Sequence, residues 1–184
     1  MDSHLQQEGG IFHWWKKIKN NRKILPVIWF FGHIVGIYTI DEYIYLGKRI
    51  INEKGIRRAW HQIKRRKIGN LRGLSIENFS LIGDGLILPH GVNITINNRA
   101  TIGAHCTIYQ GVTVGVIANG KRKGEPCIGD NVVLGPNAVV VGGINVGDGA
   151  VIAGNAFVNF DVPADAIVIG NPGIIHKKTK REID

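Results

Sequence analysis

The sequence predicts a mainly β fold, a parallel β-helix of six-residue repeats preceded by a helical segment, and two observations support this prediction. Aliphatic residues recur at every sixth position from Ile128 to Val158, and an apolar, mostly small residue follows each of them four positions later. Glycine is abundant, and 17 of the 25 glycines follow residue 73. A period of six matches neither a helical turn nor the usual spacing of hairpins. It fits short strands joined by tight turns, three to a triangular coil.

Two apolar series define the repeat. The inward-facing series comprises Ile128, Leu134, Val140, Val146, Ile152 and Val158, and the series four positions on comprises Val132, Ala138, Ile144, Ala150, Ala156 and Val162. The same period occurs earlier, at Ile102, Ile108 and Val114 and again at Ile82, Leu88 and Ile94, with a slip of two residues between the earliest phases. Glycine and asparagine suit the turns because they tolerate positive φ. A longer gap before Ile128 holds the polar stretch VIANGKRKGEP, which predicts a loop.

The first 73 residues differ in charge from the rest of the chain and predict a basic helical segment. They hold 15 Lys/Arg against 5 Asp/Glu, a net charge of +10, whereas residues 74–184 hold 8 against 9, a net charge of −1. We therefore expect a helical segment over residues 1–73, a β-helix over 74–172 and a basic C-terminal tail over 173–184. The helices and the tail would cap the two ends of the β-helix.

One stretch of the helical segment is long and apolar. A basic cluster, Lys16–Lys23, precedes 17 uncharged residues, Ile24–Ile40. A membrane-spanning helix usually needs about 20 apolar residues, and this run also contains Pro26 and two glycines. The run therefore does not predict a membrane span.

A second stretch predicts a basic amphipathic helix. Ile56, Ala59, Trp60 and Ile63 follow the i, i+3, i+4, i+7 spacing among six Lys and Arg residues. We expect the apolar faces to pack on the β-helix or on a neighbouring subunit. Peripheral contact of residues 16–67 with an anionic membrane surface is an additional role that the same pattern favours.

Composition excludes several classes of protein. An apolar content of 44% is too high for a disordered chain. The two cysteines, Cys106 and Cys127, are too few for a disulfide scaffold, and no secretory signal is recognisable, so we expect a cytoplasmic setting. The net charge of +9 favours an anionic partner. We expect no nucleic acid, because no nucleic-acid-binding motif is present.

Two stretches resemble a known family. LPHGVNITINNRATIGAHCTIYQGVTVG resembles the centre of hexapeptide-repeat acyltransferases, most closely serine acetyltransferases and cell-surface polysaccharide O-acetyltransferases, and VPADAIVIGNPGIIHKK resembles the family's closing stretch. The resemblance covers roughly residues 74–178 and includes the loop length. It implies a left-handed β-helix, against the usual right-handed crossover preference. It also implies a homotrimer with active sites between neighbouring subunits.

Within this resemblance, His90 in LPHG matches the catalytic histidine. An alcohol attacks a thioester slowly unless a base removes its proton as the bond forms, and a neutral imidazole can take that proton and return it to the departing thiolate. By resemblance, backbone N–H groups near Gly115 and Val116 would stabilise the oxyanion. His105 lies at an outward position, and we expect it to be a solvated surface residue.

Three departures from serine acetyltransferases affect groups that recognise the amino acid. Pro89 stands where the family has an aspartate directly before the histidine, and Ser75 stands where it has the aspartate that orients the imidazole. Gly124 and Glu125 replace an arginine-histidine pair. We therefore expect the acceptor to be a hydroxyl of a sugar or cell-surface polysaccharide precursor.

The partner that orients His90 stays open at this point. Ser75, Glu77 and Asn93 are the candidates, and Gln110 and Glu125 are assigned to the acceptor side of the site.

The resemblance implies acetyl-CoA as the acyl donor. Its pantetheine arm would lie along backbone groups of Gly115, Val116, Pro136 and Gly154. The ADP end needs cations, which come either from the tail, at Lys177 and Lys178, or from the loop, at Lys121, Arg122 and Lys123.

The expected function is therefore acetyl-CoA-dependent O-acetylation with His90 as general base, in the cytoplasm or at the inner face of the membrane. The alternative acceptor is L-serine, as in cysteine biosynthesis, and the alternative of another class is a basic nucleic-acid- or membrane-binding module. A zinc enzyme such as the carbonic anhydrases on this fold needs three suitably spaced histidines, whereas the region offers His90, His105 and His176. We expect no metal.

Overall fold

Two helices open the part of the chain that the structure, a computed structural model, describes, residues 40–177. Helix α1 spans Ile40–Asn52, and helix α2 spans Gly55–Arg72. Helix α2 ends at Gly73, which adopts the left-handed conformation with φ 65° and donates its N–H to the Gly69 carbonyl. Glycine is favoured at this position because it has no Cβ to clash there.

An apolar cluster joins the helices to the first coil of strands. Tyr43, Leu46 and Ile50 of α1 and Ile68 of α2 are all buried. The ring of Tyr43 meets Phe79 edge-on, with centroids 5.7 Å apart. Burial of such side chains stabilises the packing by about 1.5–3 kcal/mol each.

Polar contacts fix the helices in place beside this cluster. Lys64 of α2 is buried and forms an ion pair with Glu42 of α1, which offsets part of the cost of burying the charge. The Tyr43 hydroxyl lies 3.2 Å from both the carbonyl oxygen and the nitrogen of Ile76. Both helices and the strands belong to one compact unit that begins at Ile40.

Within residues 40–177, twelve short strands form three parallel sheets, and a thirteenth is antiparallel. The first sheet comprises β1 (Ser75–Ile76), β2 (Thr95–Ile96), β5 (Thr113–Gly115), β8 (Val139–Val141) and β11 (Phe157–Val158). The second comprises β4 (Thr107–Ile108), β7 (Val133–Leu134), β10 (Val151–Ile152), β12 (Ala166–Ile169) and β13 (Ile174–Lys177). The third comprises β3 (Thr101–Ile102), β6 (Cys127–Ile128) and β9 (Asn145–Val146). A short 3₁₀ helix, Phe79–Leu81, follows β1.

This topology confirms the predicted parallel β-helix. The chain visits the first, third and second sheets in turn and then returns to the first, one coil further on. Every residue of the two apolar series between Ile128 and Val162 is at most 3% exposed. The core is therefore a continuous stack of aliphatic side chains, as the six-residue period predicts.

The two-residue slip lies in one turn. Leu88 and Ile96 are buried core residues eight positions apart instead of six, and the turn between them contains Pro89–Asn93. The sequence places Ile94 in the strand series, but the inward residue of strand β2 is Ile96, and Ile94 is buried in the turn before it. The extra length makes this turn larger than its neighbours.

The amphipathic face of α2 does not pack on the described part of the chain. Ile56, Trp60 and Ile63 are 90%, 44% and 69% exposed, and Ala59 is exposed as well. The expectation that this face packs on the β-helix is therefore wrong, because α2 contacts its neighbours through the opposite side, around Ile68.

Several predicted features of the helical segment are only partly described. Lys16–Lys23 and all of Ile24–Ile40 except its last residue lie outside the described residues. Over residues 40–177, neither helix has the combination of length and apolar character needed to cross a bilayer.

The end of the β-helix extends into the predicted tail. After a cis peptide bond between Asn171 and Pro172, strand β13 turns back and pairs antiparallel with β12. The first residues of the predicted 173–184 tail therefore complete the second sheet, and Lys178 lies outside the described residues.

The close stacking of coils predicts that a methyl group at Gly103 is not tolerated. A Cβ there would overlap the Gly129 backbone and the Asp130 carboxylate of the next coil. We expect Gly103→Ala to lower the free energy of unfolding by about 2 kcal/mol, measured by urea denaturation. Gly120→Ala is the control, because Gly120 has open space around it and a φ of 91°, so that only backbone strain of about 1 kcal/mol applies. Equal losses in the two variants would contradict this account.

Candidate active site

His90 lies at the corner where the chain passes from the second sheet to the first. It is exposed in the lengthened turn, and its ring centroid is 6.5 Å from that of Tyr109 in the next coil. The C-terminal end of the turn is held in place, because Asn93 donates its backbone N–H to the Arg72 carbonyl and the Val92 carbonyl accepts one from Gly111. The longer turn thus presents an exposed imidazole from a fixed backbone.

The equivalent turns of the following coils stack on this one and form a column along the β-helix. We call this column the histidine corner (residues 89–93, 109–111, 135–137 and 153–155). Asn137 donates its N–H to the Gln110 carbonyl at 2.9 Å, and Asn155 donates to the Pro136 carbonyl at 2.8 Å. His90, Gln110, Pro136 and Gly154 are therefore brought together along one edge of the β-helix, as a linear site for an extended ligand would require.

The side chain of Gln110 has an unsatisfied hydrogen-bond acceptor at this edge. Its Oε1 atom is buried and has no hydrogen-bond partner in the described part of the chain. A buried acceptor left without a donor costs about 1–3 kcal/mol. A ligand or a second subunit that supplies a donor here would recover that free energy.

Ser75 and Glu77 do not contact the imidazole. They line a cavity of about 470 Å³ beneath α2, together with Arg65, Arg66 and Asn70 among others.

Asn93 is directed elsewhere too. It has a φ of 53°, and its side-chain oxygen lies against Gly73 at the end of α2. Over residues 40–177, no side chain is hydrogen-bonded to the ring of His90. None of the three sequence candidates is therefore hydrogen-bonded to the imidazole, and which group orients it stays open.

A different corner, where the chain passes from the first sheet to the third, contains Gly115, Val116 and Glu125. We call it the loop corner (residues 115–126). Strand β5 separates it from the histidine corner. Within one chain Gly115 and Val116 therefore lie away from His90, because the corners of a triangular coil face in different directions, and their role at the oxyanion stays a prediction.

The loop at this corner is anchored to the neighbouring coils. Ile117 and Gly124 exchange backbone hydrogen bonds at 3.0 Å, and Arg122 Nη1 lies 3.0 Å from Asp161 Oδ2. Arg99 approaches Glu125 at 3.7 Å. Arg122 is therefore engaged in the fold, whereas the neighbouring Lys121 and Lys123 are exposed.

The other histidines between residues 40 and 177 do not assemble a site. His105 is exposed at the third corner, as the sequence predicts, His61 pairs with Glu53, and His176 is on strand β13. No group of three His, Cys, Asp or Glu residues within the described range has the arrangement to hold a metal ion.

Cys106 is a buried, structural cysteine, whereas Cys127 is exposed. Both are free, and burial raises the pKa of the Cys106 thiol, which lies 3.1 Å from the Gly129 carbonyl oxygen. A thiol with a raised pKa is a poor nucleophile at neutral pH.

Comparison with curated proteins identifies several serine acetyltransferases as relatives. A serine acetyltransferase of Staphylococcus epidermidis is 33% identical over 151 residues, which are 82% of this chain and 67% of that protein. The chain belongs to the serine acetyltransferase family. A Staphylococcus aureus serine acetyltransferase is 35% identical over 146 residues, or 79% of this chain and 65% of that protein. No protein-family model matches the chain.

The chain is shorter than several members of its family. It spans 47% of the serine acetyltransferase of Synechococcus elongatus, with 35% identity over 114 residues, and 42% of serine acetyltransferase 2 of Arabidopsis thaliana.

Solved structures of the family agree with this fold. Neisseria gonorrhoeae serine acetyltransferase in complex with serine is 28% identical, with a TM-score of 0.59 over 74% of this chain and 55% of that one. The soybean apoenzyme is 25% identical, with a TM-score of 0.58 over 73% and 55%. A serine acetyltransferase in complex with CoA is 26% identical, with a TM-score of 0.51 over 74% and 55%. These neighbours confirm the left-handed β-helix behind an N-terminal helical part.

The sequence did not single out Tyr109, although it is the aromatic neighbour of His90. A register count could have found it. Tyr109 directly follows the inward Ile108, and Pro89 directly follows the inward Leu88, so both residues open the same corner in successive coils.

The contact between Arg122 and Asp161 predicts a pH-dependent contribution to stability. The backbone N–H of Asn145, and then Arg122, hold the pKa of the Asp161 carboxyl below its ordinary value. A lowered folded-state pKa means that the ionised carboxylate stabilises the fold above its unfolded pKa and that this contribution is lost as the pH falls through the folded pKa.

We therefore expect Asp161→Asn to lower the melting temperature near pH 7 and the difference from wild type to shrink below about pH 4. Arg122→Gln is the matched control, since it removes the ion pair and leaves the hydrogen bond from Asn145, and it should lower the melting temperature less. A difference that stays constant with pH would count against the assignment.

Proposed function

We propose that the chain transfers an acetyl group from acetyl-CoA to the hydroxyl of a small acceptor, with His90 as the general base. The observation that supports this most strongly is the exposed imidazole of His90 at one end of the histidine corner, in a chain whose relatives are acetyltransferases. Membership of the family supports the class of reaction, and the geometry supports the choice of base.

In the proposed reaction, neutral His90 accepts the proton of the acceptor hydroxyl as the oxygen attacks the thioester carbonyl carbon. The new carbon–oxygen bond forms, the carbon–sulfur bond breaks, and the proton passes from His90 to the departing thiolate. The products are the acetyl ester and free CoA. No residue of the described chain holds the imidazole by a hydrogen bond, so the substrate or a neighbouring subunit would supply its orientation.

Acetyl-CoA suits the histidine corner because the pantetheine arm is long and narrow. Gln110, Pro136 and Gly154 succeed one another along that edge, and Gly154 leaves its backbone uncovered by any side chain. The CoA complex of a solved relative supports this donor. We assign the ADP end to Lys121 and Lys123 of the loop or to Lys177 and Lys178 of the tail.

L-Serine is the acceptor that the relatives favour, because their names specify serine and one solved neighbour was determined in complex with serine. A sugar hydroxyl is the second candidate. It is favoured by Pro89, Ser75, Gly124 and Glu125, which replace the groups by which this family recognises the amino acid. In this proposal Gln110 of one subunit and Glu125 from the loop corner of a neighbouring subunit face the acceptor.

A homotrimer would complete the site. Gly115 and Val116 lie at the loop corner, away from His90 of the same chain, so only a neighbouring subunit would bring their N–H groups to the reacting carbonyl. We further propose a cytoplasmic enzyme, with peripheral membrane contact through residues 16–67 as a separate property.

Substitution of His90 tests the proposed base. We expect His90→Ala to lower kcat at least 100-fold with acetyl-CoA binding retained, because general base catalysis contributes about 10²–10⁴ to a rate. The rate is followed by the release of free thiol. His105→Ala is the control, since His105 is equally exposed at another corner and should keep full activity. An active His90→Ala protein would rule out the assignment.

A comparison of acceptors tests the second half of the proposal. Thiol release is measured with L-serine and, separately, with nucleotide sugars and polysaccharide fragments. We expect turnover with L-serine that depends on His90. Turnover with a sugar and none with L-serine would transfer the assignment to the second candidate, and the absence of thiol release with every acceptor would overturn the proposed function.

A further inference from the structure

Helix α2 carries an apolar stripe that no described part of the chain covers. Ile56, Trp60 and Ile63 lie within about 60° of arc when drawn at 100° per residue, and they are 90%, 44% and 69% exposed. Leu71, which is 68% exposed, extends the stripe toward the end of the helix. We call these four residues the α2 stripe.

The charge around the stripe has a single sign. Helix α2 contains seven Lys and Arg residues and no Asp or Glu. By the same count of 100° per residue, Arg57 and Arg66 flank the stripe on its two sides, and Lys67 lies between its members. All three side chains are exposed. The outer face of α2 is therefore both apolar and cationic.

The N-terminal end of this face is concave. Lys54, Ile56, Arg57 and Trp60 line a depression of about 610 Å³. Two cationic and two apolar side chains thus meet in one hollow, a combination that suits an anionic head group beside a hydrocarbon chain.

The inner side of α2 holds the stripe in place. Ile68 and Gly69 are buried, and Arg65 Nη1 donates to the Ile76 carbonyl. Lys64 pairs with Glu42 of α1, and its Nζ lies 5.4 Å from the centroid of the Trp60 ring. These contacts fix the rotation of the helix about its axis, so its outer face is formed before any partner binds.

A second copy of the chain fits this face poorly. Two apposed stripes would bring Arg57, Arg66 and Lys67 of both helices together without an acidic residue from either helix, and like charges across an interface oppose association. The few side chains of the stripe also fall well short of the roughly 800 Å² per partner that a stable protein interface buries.

An anionic lipid surface matches the outer face of α2 both in charge and in apolar character. It supplies negative charge for the flanking arginines and hydrocarbon for the isoleucines, and tryptophan is favoured at the boundary between head groups and acyl chains. We propose that helix α2 lies on an anionic bilayer through the α2 stripe. This inference goes beyond acetyl transfer and does not depend on it.

Vesicle flotation of the full-length protein tests the proposal. The probes are vesicles of phosphatidylcholine alone and of phosphatidylcholine with 30 mol% phosphatidylglycerol. We expect wild-type protein to bind the anionic vesicles, to bind the neutral ones much less, and to lose binding as salt is raised, because salt screens the attraction. A wild-type protein that stays unbound with anionic vesicles would overturn the proposal.

Substitution then assigns the binding to α2. The triple variant Ile56→Gln, Trp60→Gln, Ile63→Gln should bind anionic vesicles at least tenfold more weakly. The matched control is Ile169→Gln, Ile174→Gln, Ile175→Gln, which removes three exposed apolar side chains on strands β12 and β13 and should bind as wild type does. Arg57→Gln with Arg66→Gln should weaken binding and flatten its salt dependence.

Three further measurements separate the explanations. Thermal unfolding should change little in the triple variant, since Ile56 and Ile63 are 90% and 69% exposed and Lys64 keeps its ion pair with Glu42 when the Trp60 ring is removed. Its acetyl transfer to a soluble acceptor should equal that of wild type. Vesicle binding therefore passes or fails independently of the proposed function. Undiminished vesicle binding by the triple variant would overturn the proposal. A smaller assembly of that variant by light scattering would also overturn it, because the face would then be a subunit contact.

Discussion

The register in which one coil stacks on the next is the constraint on which the rest of the structure depends. Thr95 donates its N–H to the Val112 carbonyl at 3.0 Å, Thr113 to Ala138 at 3.0 Å, and Val139 to Ala156 at 2.9 Å, so each coil is bonded to the following one at equivalent positions. A change in strand length would shift the buried side chains of that coil out of the core. Extra residues are therefore tolerated only at the corners.

The two places where the chain is longer than the six-residue period requires are corners, and both hold groups predicted to act in catalysis. The lengthened turn carries His90, and the loop of residues 116–126 follows Gly115. Because the two departures fall at different corners, the groups they carry face different directions on one β-helix. This geometry gives a physical reason for the proposed trimer, in which the loop corner of one subunit would meet the histidine corner of another.

The helices add a strongly basic surface to a β-helix whose net charge is close to zero. Residues 1–73 carry the net charge of +10, and part of it is used inside the fold, where Lys64 pairs with Glu42 and Arg65 covers the rings of Tyr43 and Phe79. On the outer face of α2, Arg57 and Arg66 flank the α2 stripe and Lys67 lies between its members. One helix thus has an internal set of basic residues that anchors it and an external set beside the stripe.

The sequence by itself determined the β-helix, its core and the position of the loop, because a six-residue period of aliphatic residues has no other packed solution in a chain of this kind. It also singled out His90, through the motif around it. Only the tertiary structure decided that Ile96 and not Ile94 continues the core, and that Ser75 and Glu77 line a cavity beneath α2. It also reversed the expected packing of α2. These points depend on turn length and helix rotation, which the burial of side chains from distant coils sets and which no local pattern encodes.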